Sequence, residues 1–414
     1  MTENIENNFK NRENTENTEK TENTENIENM NDRNGTNTPD TRRADGQKKT
    51  ELLSLSLDEV RVLVAELGEP KYRAEQLYVA MSRGVAPENI TNIPKTMKAK
   101  LAEVAYYHVP EIALRLVSAI DGTRKYLLRL CDGNCIEAVL MKYNHGNTIC
   151  VSSQVGCRMG CRFCASTIGG RVRDLTAGEI LGEVIAVQNE SGERVSNIVM
   201  MGIGEPLDNY DNVVKFLHLV NAPEGLNIGY RHISLSTCGV VPGIRRLAAE
   251  ELPITLSISL HAPDDKTRSE IMPINRSYCI AELMDACCEY YRESGRRISF
   301  EYTLISGKND SEAAARSLAG LLNGSLRPRG NQINQRNGSG NENKESMPIH
   351  VNLIPVNDVT ESGFVRSDQR SIDNFAKVLE SKGIRATVRR RLGPDINASC
   401  GQLRRSRTTD ADKL

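Results

Sequence analysis

From about residue 148 onward, short apolar runs alternate with amphipathic stretches, and no other feature constrains the fold as strongly. Thr148–Ser153, Asn197–Gly202, Ile233–Thr237, Ile254–Leu260, Ile298–Ile305, Ile349–Pro355 and Arg385–Val388 read as strands. Between them lie helical patterns such as Ala177–Asn189, introduced by Thr176 with Glu179 three residues on, and Ser371–Ser381, closed by Gly383. Strands separated by helices pair in parallel, because a parallel connection has to cross a face of the sheet and a helix does so compactly. About six such units are too few to close an eight-unit barrel. The expected class is α/β, a partial (β/α)6 TIM-like barrel preceded by a small N-terminal helical domain.

That domain is expected over 51–105 and could grip RNA or simply pack. Ser56-Leu57-Asp58-Glu59 has capping-box spacing, Val60, Leu63, Val64 and Leu67 follow at helical intervals, and Gly68 sits where a C-cap belongs. Further helices open near Pro70 and Pro94. Residues 106–147 read as a β-rich connection, 148–390 as the barrel, and 391–414 as a basic C-terminal segment. Two stretches depart from globular texture. Residues 1–50 repeat Glu every third position from Glu13 to Glu28 with few apolar groups, too few to offset the entropy of ordering, so this is read as a disordered tail. Residues 323–346 are crowded with Asn, Gly, Gln and Arg and read as a surface insertion.

The net charge of −1 hides an asymmetry: residues 1–50 carry 8 basic and 11 acidic side chains, whereas 385–414 carry 8 basic and 3 acidic. The basic end suits a polyanion. No apolar run approaches the roughly 18 residues a membrane helix needs, and a secretory start is missing, so the chain is expected in the cytoplasm, away from membranes.

Eleven cysteines form no secreted-style framework, but Cys157, Cys161 and Cys164 crowd one loop, Val155-Gly156-Cys157-Arg158-Met159-Gly160-Cys161-Arg162-Phe163-Cys164. Three thiolates on one loop can hold a single metal centre. A zinc site would need a further ligand, from Cys150 or His145 for instance. An iron–sulfur cluster on three cysteines keeps one iron open.

This spacing, following the first strand of a βα series, resembles the radical S-adenosylmethionine superfamily. With Ser152-Ser153-Gln154-Val155-Gly156-Cys157, Gly202-Ile203-Gly204-Glu205-Pro206-Leu207, Leu235-Ser236-Thr237, Ile258-Ser259-Leu260-His261-Ala262-Pro263, Asn352-Leu353-Ile354-Pro355 and Cys400-Gly401-Gln402-Leu403, the chain resembles the bacterial dual-specificity RNA methyltransferases that methylate carbon 2 of adenine. The resemblance covers about 51–403. It implies one 4Fe-4S cluster on Cys157, Cys161 and Cys164, and S-adenosylmethionine against Gly204, Glu205, Ser236, Ser259, Leu260, His261 and Asn357. It also implies ribosomal RNA and transfer RNA as partners, an electron donor such as flavodoxin or ferredoxin, and a monomer.

Carbon 2 of adenine is electron-poor and cannot attack a sulfonium methyl group, so a protein thiolate has to carry the methyl first. By the resemblance that carrier is Cys400, Glu137 removes the ring proton, and Cys150 displaces the carrier sulfur as a transient disulfide. Cys131, Cys135, Cys238, Cys279, Cys287 and Cys288 read as ordinary buried residues. Arg389, Arg390, Arg391, Arg404, Arg405 and Arg407 flank Cys400 and could contact phosphate. The sister reaction at carbon 8 and a non-catalytic, zinc-bearing RNA-binding protein are the competing readings.

Overall fold

The computed structural model describes residues 41–42, 46–326, 347–356, 363–396 and 398. Ten strands form one sheet: β1 Glu111–Val117, β2 Arg124–Arg129, β3 Cys135–Tyr143, β4 Gly146–Cys150, β7 Val195–Met200, β8 Ile233–Thr237, β9 Thr255–Ser259, β10 Ile298–Leu304, β11 Ile349–Pro355 and β12 Arg385–Val388. A separate two-stranded ribbon, β5 Gln154–Gly156 with β6 Arg171–Asp174, lies between β4 and β7 in the chain.

The spatial order is β12-β11-β10-β9-β8-β7-β4-β3-β2-β1. From β4 to β12 every pairing is parallel, while β1 to β4 form an antiparallel meander. Six crossovers thus join seven parallel strands into an α/β partial barrel, whose β4 side is extended by the antiparallel meander. All seven residues of β10 are buried, as expected of a central parallel strand covered on both faces. Strands β8, β11 and β12 run where the sequence predicts; β4 and β7 stop earlier than expected, at Cys150 and Met200.

Helices α4 Ala177–Ser191, α5 Tyr210–Asn221, α6 Val241–Ala249, α7 Asp265–Ile271, α8 Ile280–Ser294, α9 Glu312–Leu326 and α10 Gln369–Ser381 complete the crossovers. These follow three short helices, Leu57–Glu66, Tyr72–Ser82 and Lys95–Val104. Capping boxes form at Ser56 with Glu59 and at Thr176 with Glu179, each satisfying two otherwise unpaired N–H groups. The N-terminal helices share the sheet's core: Leu63, Leu77, Met81, Met97 and Leu101 belong to the same buried cluster as Ile180, Ile198 and Leu256.

Described pairings reach back before the expected boundary: Arg42 bridges Lys48, and Thr50 pairs with Ala105. Asn323–Leu326, assigned to the surface insertion, instead continue α9, with Leu326 buried under the helix's apolar stripe. The rest of that insertion and most of the tail lie outside the described residues. So do Asn357 and Cys400.

Candidate active site

The carboxyl ends of the parallel strands form one rim, where ligands bind in βα architectures. Residues 157–170, which carry the three cysteines, loop out between β5 and β6. Gly156 closes this loop at φ +80°, and a Cβ there would stand 2.0 Å from the Gly170 carbonyl oxygen, so only glycine fits. The same carbonyl accepts the Cys157 N–H at 3.1 Å. Thr167 Oγ1 donates to the Cys164 carbonyl at 2.9 Å, and the Arg162 N–H reaches the Ile271 carbonyl at 2.9 Å, seating the loop against α7.

A cavity of about 210 Å³ opens at the rim, and Cys157, Cys161 and Cys164 all line it. Gly204, Glu205, Ser236, Ser259 and His261 line the same cavity. Gly204 has φ +110°, and an added Cβ would lie 2.7 Å from Gln154 and Ser153. Gln154 fastens this turn to the cysteine loop: its Oε1 accepts the Glu205 N–H at 2.9 Å, and its Nε2 donates to Asp174 at 2.8 Å and Asp208 at 3.0 Å. Asp208 also accepts Arg158 Nε at 3.0 Å, from within the cysteine loop.

The Glu205 carboxylate accepts the Cys238 N–H at 2.7 Å and the Leu207 N–H at 3.0 Å. Burial raises its pKa despite these donors. Ser236 Oγ lies 3.4 Å from Ser259 Oγ on the next strand. His261 is buried, its Nδ1 accepts the Thr303 N–H at 2.9 Å, and burial, aided by Arg268, pushes its pKa down to about 3. The ring is therefore neutral with its proton on Nε2, a fixed hydrogen-bond donor. Burial pushes the Cys157 thiol up to about 12 and raises Cys161 as well, so metal ligation has to supply the deprotonation.

Not every expected residue joins this set. Leu260 buries its side chain in the main core, and its carbonyl is taken by Arg268 Nε at 3.1 Å. Cys150 lines an adjoining chamber of about 230 Å³ that shares Phe163, Cys164 and Arg389 with the first cavity. Glu137, on β3, is buried and pairs with Lys125 Nζ at 3.1 Å. Its neighbours on that strand face, Val139 and Met141, line the chamber; Glu137 itself is not among the lining residues.

Sequence reasoning missed three features of the site. Cys238, read as an ordinary buried residue, lines the first cavity and turns its thiol to Glu205. Cys279, read the same way, is exposed. Glu301 also lines the first cavity, accepting Asn352 Nδ2 at 2.7 Å, and Arg366 lines the chamber. A glutamate in an otherwise apolar run was the available signal for Glu301; Arg366 carried none.

The donor set fits an iron–sulfur cluster with an open iron. Three thiols come from one loop, and the hydroxyl of Ser166 beside them is buried, lines the cavity and has no partner.

Residues 151–318 match the Radical SAM superfamily. A solved radical SAM methyltransferase from Sphaerobacter thermophilus is similar at a TM-score of 0.77 and 41% identity, over 85% of this chain and 98% of that one. Fold, site and these likenesses define a radical S-adenosylmethionine methyltransferase, an enzyme of one 4Fe-4S cluster and S-adenosylmethionine. The probable dual-specificity RNA methyltransferase RlmN of Clostridium perfringens (strain SM101 / Type A) is 52% identical over 357 residues, 86% of this chain and 96% of that protein. Its counterpart in Clostridium tetani (strain Massachusetts / E88) is 52% identical over 355 residues, 86% and 95%. The chain belongs to the RlmN family of RNA methyltransferases.

Proposed function

We propose that this RNA methyltransferase methylates carbon 2 of one adenosine in 23S ribosomal RNA and of the adenosine adjacent to the anticodon in transfer RNAs. Cys400 carries the methyl group as S-methylcysteine, and two S-adenosylmethionine molecules are consumed per turnover. The observation that carries this reading is the shared chamber: Cys150, the ligand Cys164 and Ala398 line it together. Cys400 stands two positions after Ala398 in the sequence and lies outside the described residues.

Cys157, Cys161 and Cys164 would hold the cluster, and Gly204, Glu205, Ser236, Ser259, His261 and Asn357 the cofactor. Bound there, the pair supplies a methyl group and, by one-electron cleavage of the sulfonium, a 5′-deoxyadenosyl radical. The protein's own groups do the rest. The buried Glu205 carboxylate and the serine pair offer acceptors for ammonium and hydroxyl groups. Glu137 takes the ring proton after opening from Lys125, and the Cys150 sulfur then bonds to the Cys400 sulfur as the bond from that sulfur to the transferred carbon breaks, the carbon keeping the electron pair and taking a proton to complete the methyl group. Arg366, Arg389, Arg390 and Arg391 on the chamber wall neutralise RNA phosphates as the target base leaves its stack. Flavodoxin or ferredoxin supplies the electron to a monomeric cytoplasmic enzyme; no described helix is long and apolar enough to cross a membrane.

The test is nucleoside mass analysis of RNA treated with the anaerobically reconstituted chain. The expected product is 2-methyladenosine; 8-methyladenosine would overturn the regiochemistry, and a colourless zinc-loaded protein the reaction class. Cys400→Ala should lose methyl transfer while still cleaving S-adenosylmethionine, and Cys150→Ala should accumulate protein crosslinked to RNA. Full turnover by Cys400→Ala would refute the carrier.

A further inference from the structure

We infer that a groove beside the amino-terminal ends of β4, β7, β8 and β9 holds the RNA strand flanking the target base, with phosphate on Arg231 and a base stacked on Tyr143 and His145. This inference rests on the RNA reading above. The groove encloses about 390 Å³ and adjoins the chamber: Met141, Arg389 and Arg390 line both. A strand whose base enters the chamber has to leave along an open path of this kind.

The lining chemistry matches a polynucleotide. Arg231, Arg389 and Arg390 supply cationic charge, with His145 and His232 beside them, and the described lining includes no Asp or Glu. Such a one-signed wall repels acidic protein surfaces and attracts phosphates. Tyr143 and His145 stack with ring centroids 5.1 Å apart and planes 16° from parallel, at the turn between β3 and β4. His145 is exposed, so the stack presents a face that another planar ring can continue.

Asn197 provides a further observation. The residue lines the groove; its Oδ1 faces His232 Nδ1 at 3.0 Å, whereas its Nδ2 is buried and has no partner. A buried amide donor without an acceptor is costly.

Fluorescence anisotropy of the full chain with an in vitro transcribed transfer RNA, measured across salt concentrations, tests the inference. Arg231→Ala should lower the slope of log affinity against log salt by about 0.7, the share of one single-strand phosphate contact. Tyr143→Ala should weaken binding about 5- to 100-fold through loss of one stacked base, while Tyr143→Phe, which keeps the ring, should stay within about twofold of the parent. Both sites are at the surface or half-buried, and matched melting curves guard against unfolding. If the parent chain binds and methylates RNA while Arg231→Ala and Tyr143→Ala keep its affinity and slope, the groove assignment falls and the RNA reading survives. If the parent binds no RNA, both fall.

Discussion

Replacing Arg268 with methionine should destabilise the cluster-free protein by about 2 kcal/mol. The guanidinium is fully buried on α7 and donates to four oxygens: Nε to Leu260 O at 3.1 Å, Nη1 to Asn275 Oδ1 at 2.8 Å, and Nη2 to Cys238 O at 2.7 Å and Ser259 O at 3.3 Å. Methionine fills similar volume but leaves two close acceptors, Asn275 Oδ1 and Cys238 O, unpaired at about 1–3 kcal/mol each, while Leu260 O keeps the Ala262 N–H at 2.8 Å. Relief of the buried cation returns a few kcal/mol of that; the cost of burial is visible in the guanidinium's lowered pKa. Lysine would keep the charge but cannot reach three acceptors at once, so Arg268→Lys should fall between the two. Urea unfolding followed by far-ultraviolet circular dichroism reads the difference directly. A methionine variant within about 1 kcal/mol of the parent, at unchanged slope, would refute the idea that this one side chain braces the ends of β8 and β9.

Gly204→Ala should cost about 2–4 kcal/mol and sharply weaken S-adenosylmethionine binding, because its φ of +110° strains any L side chain and the new Cβ would meet Gln154 and Ser153 at 2.7 Å; calorimetry of cofactor binding checks it. Acidification should expose His261: with a folded pKa of about 3 against an unfolded value near 6.5, the unfolded chain binds the extra proton between those limits, so stability falls with pH. Between pH 6.5 and 5 the parent should lose about 2 kcal/mol more than His261→Gln, as measured by urea titrations at each pH. Lys125→Met removes the ion-pair partner of a buried carboxylate and should cost about 3–5 kcal/mol, most of it restored in the double variant with Glu137→Gln; equal stability of the single and double variants would show that the pair is not coupled.

The sequence carries information at different ranges, and the site divides along that line. The cysteine loop was legible because its three thiols lie within eight consecutive residues, and the Gly204-Glu205 turn because two glycines and a glutamate close together follow a strand. Strands Ile233–Thr237, Ile349–Pro355 and Arg385–Val388 were legible to the residue, as β-branched runs ended by a polar or charged turn. The ends of β4 and β7 were not, since apolar character continues past the last ladder pair: the Val151 N–H still bonds to the Val199 carbonyl. Arg268 illustrates the limit. Between Thr267 and Ser269 it looks like any charged residue of a helix face, and nothing local says that its acceptors come from the ends of two strands and from Asn275. Those acceptors come together only where the ends of β8 and β9 meet Asn275, so this brace is defined only once the sheet has assembled. The same holds for Lys125, whose partner Glu137 lies on the neighbouring strand. Residues that bind the cofactor can announce themselves by local motif; residues that hold those in place are specified by the fold, and a reading without coordinates will systematically miss them.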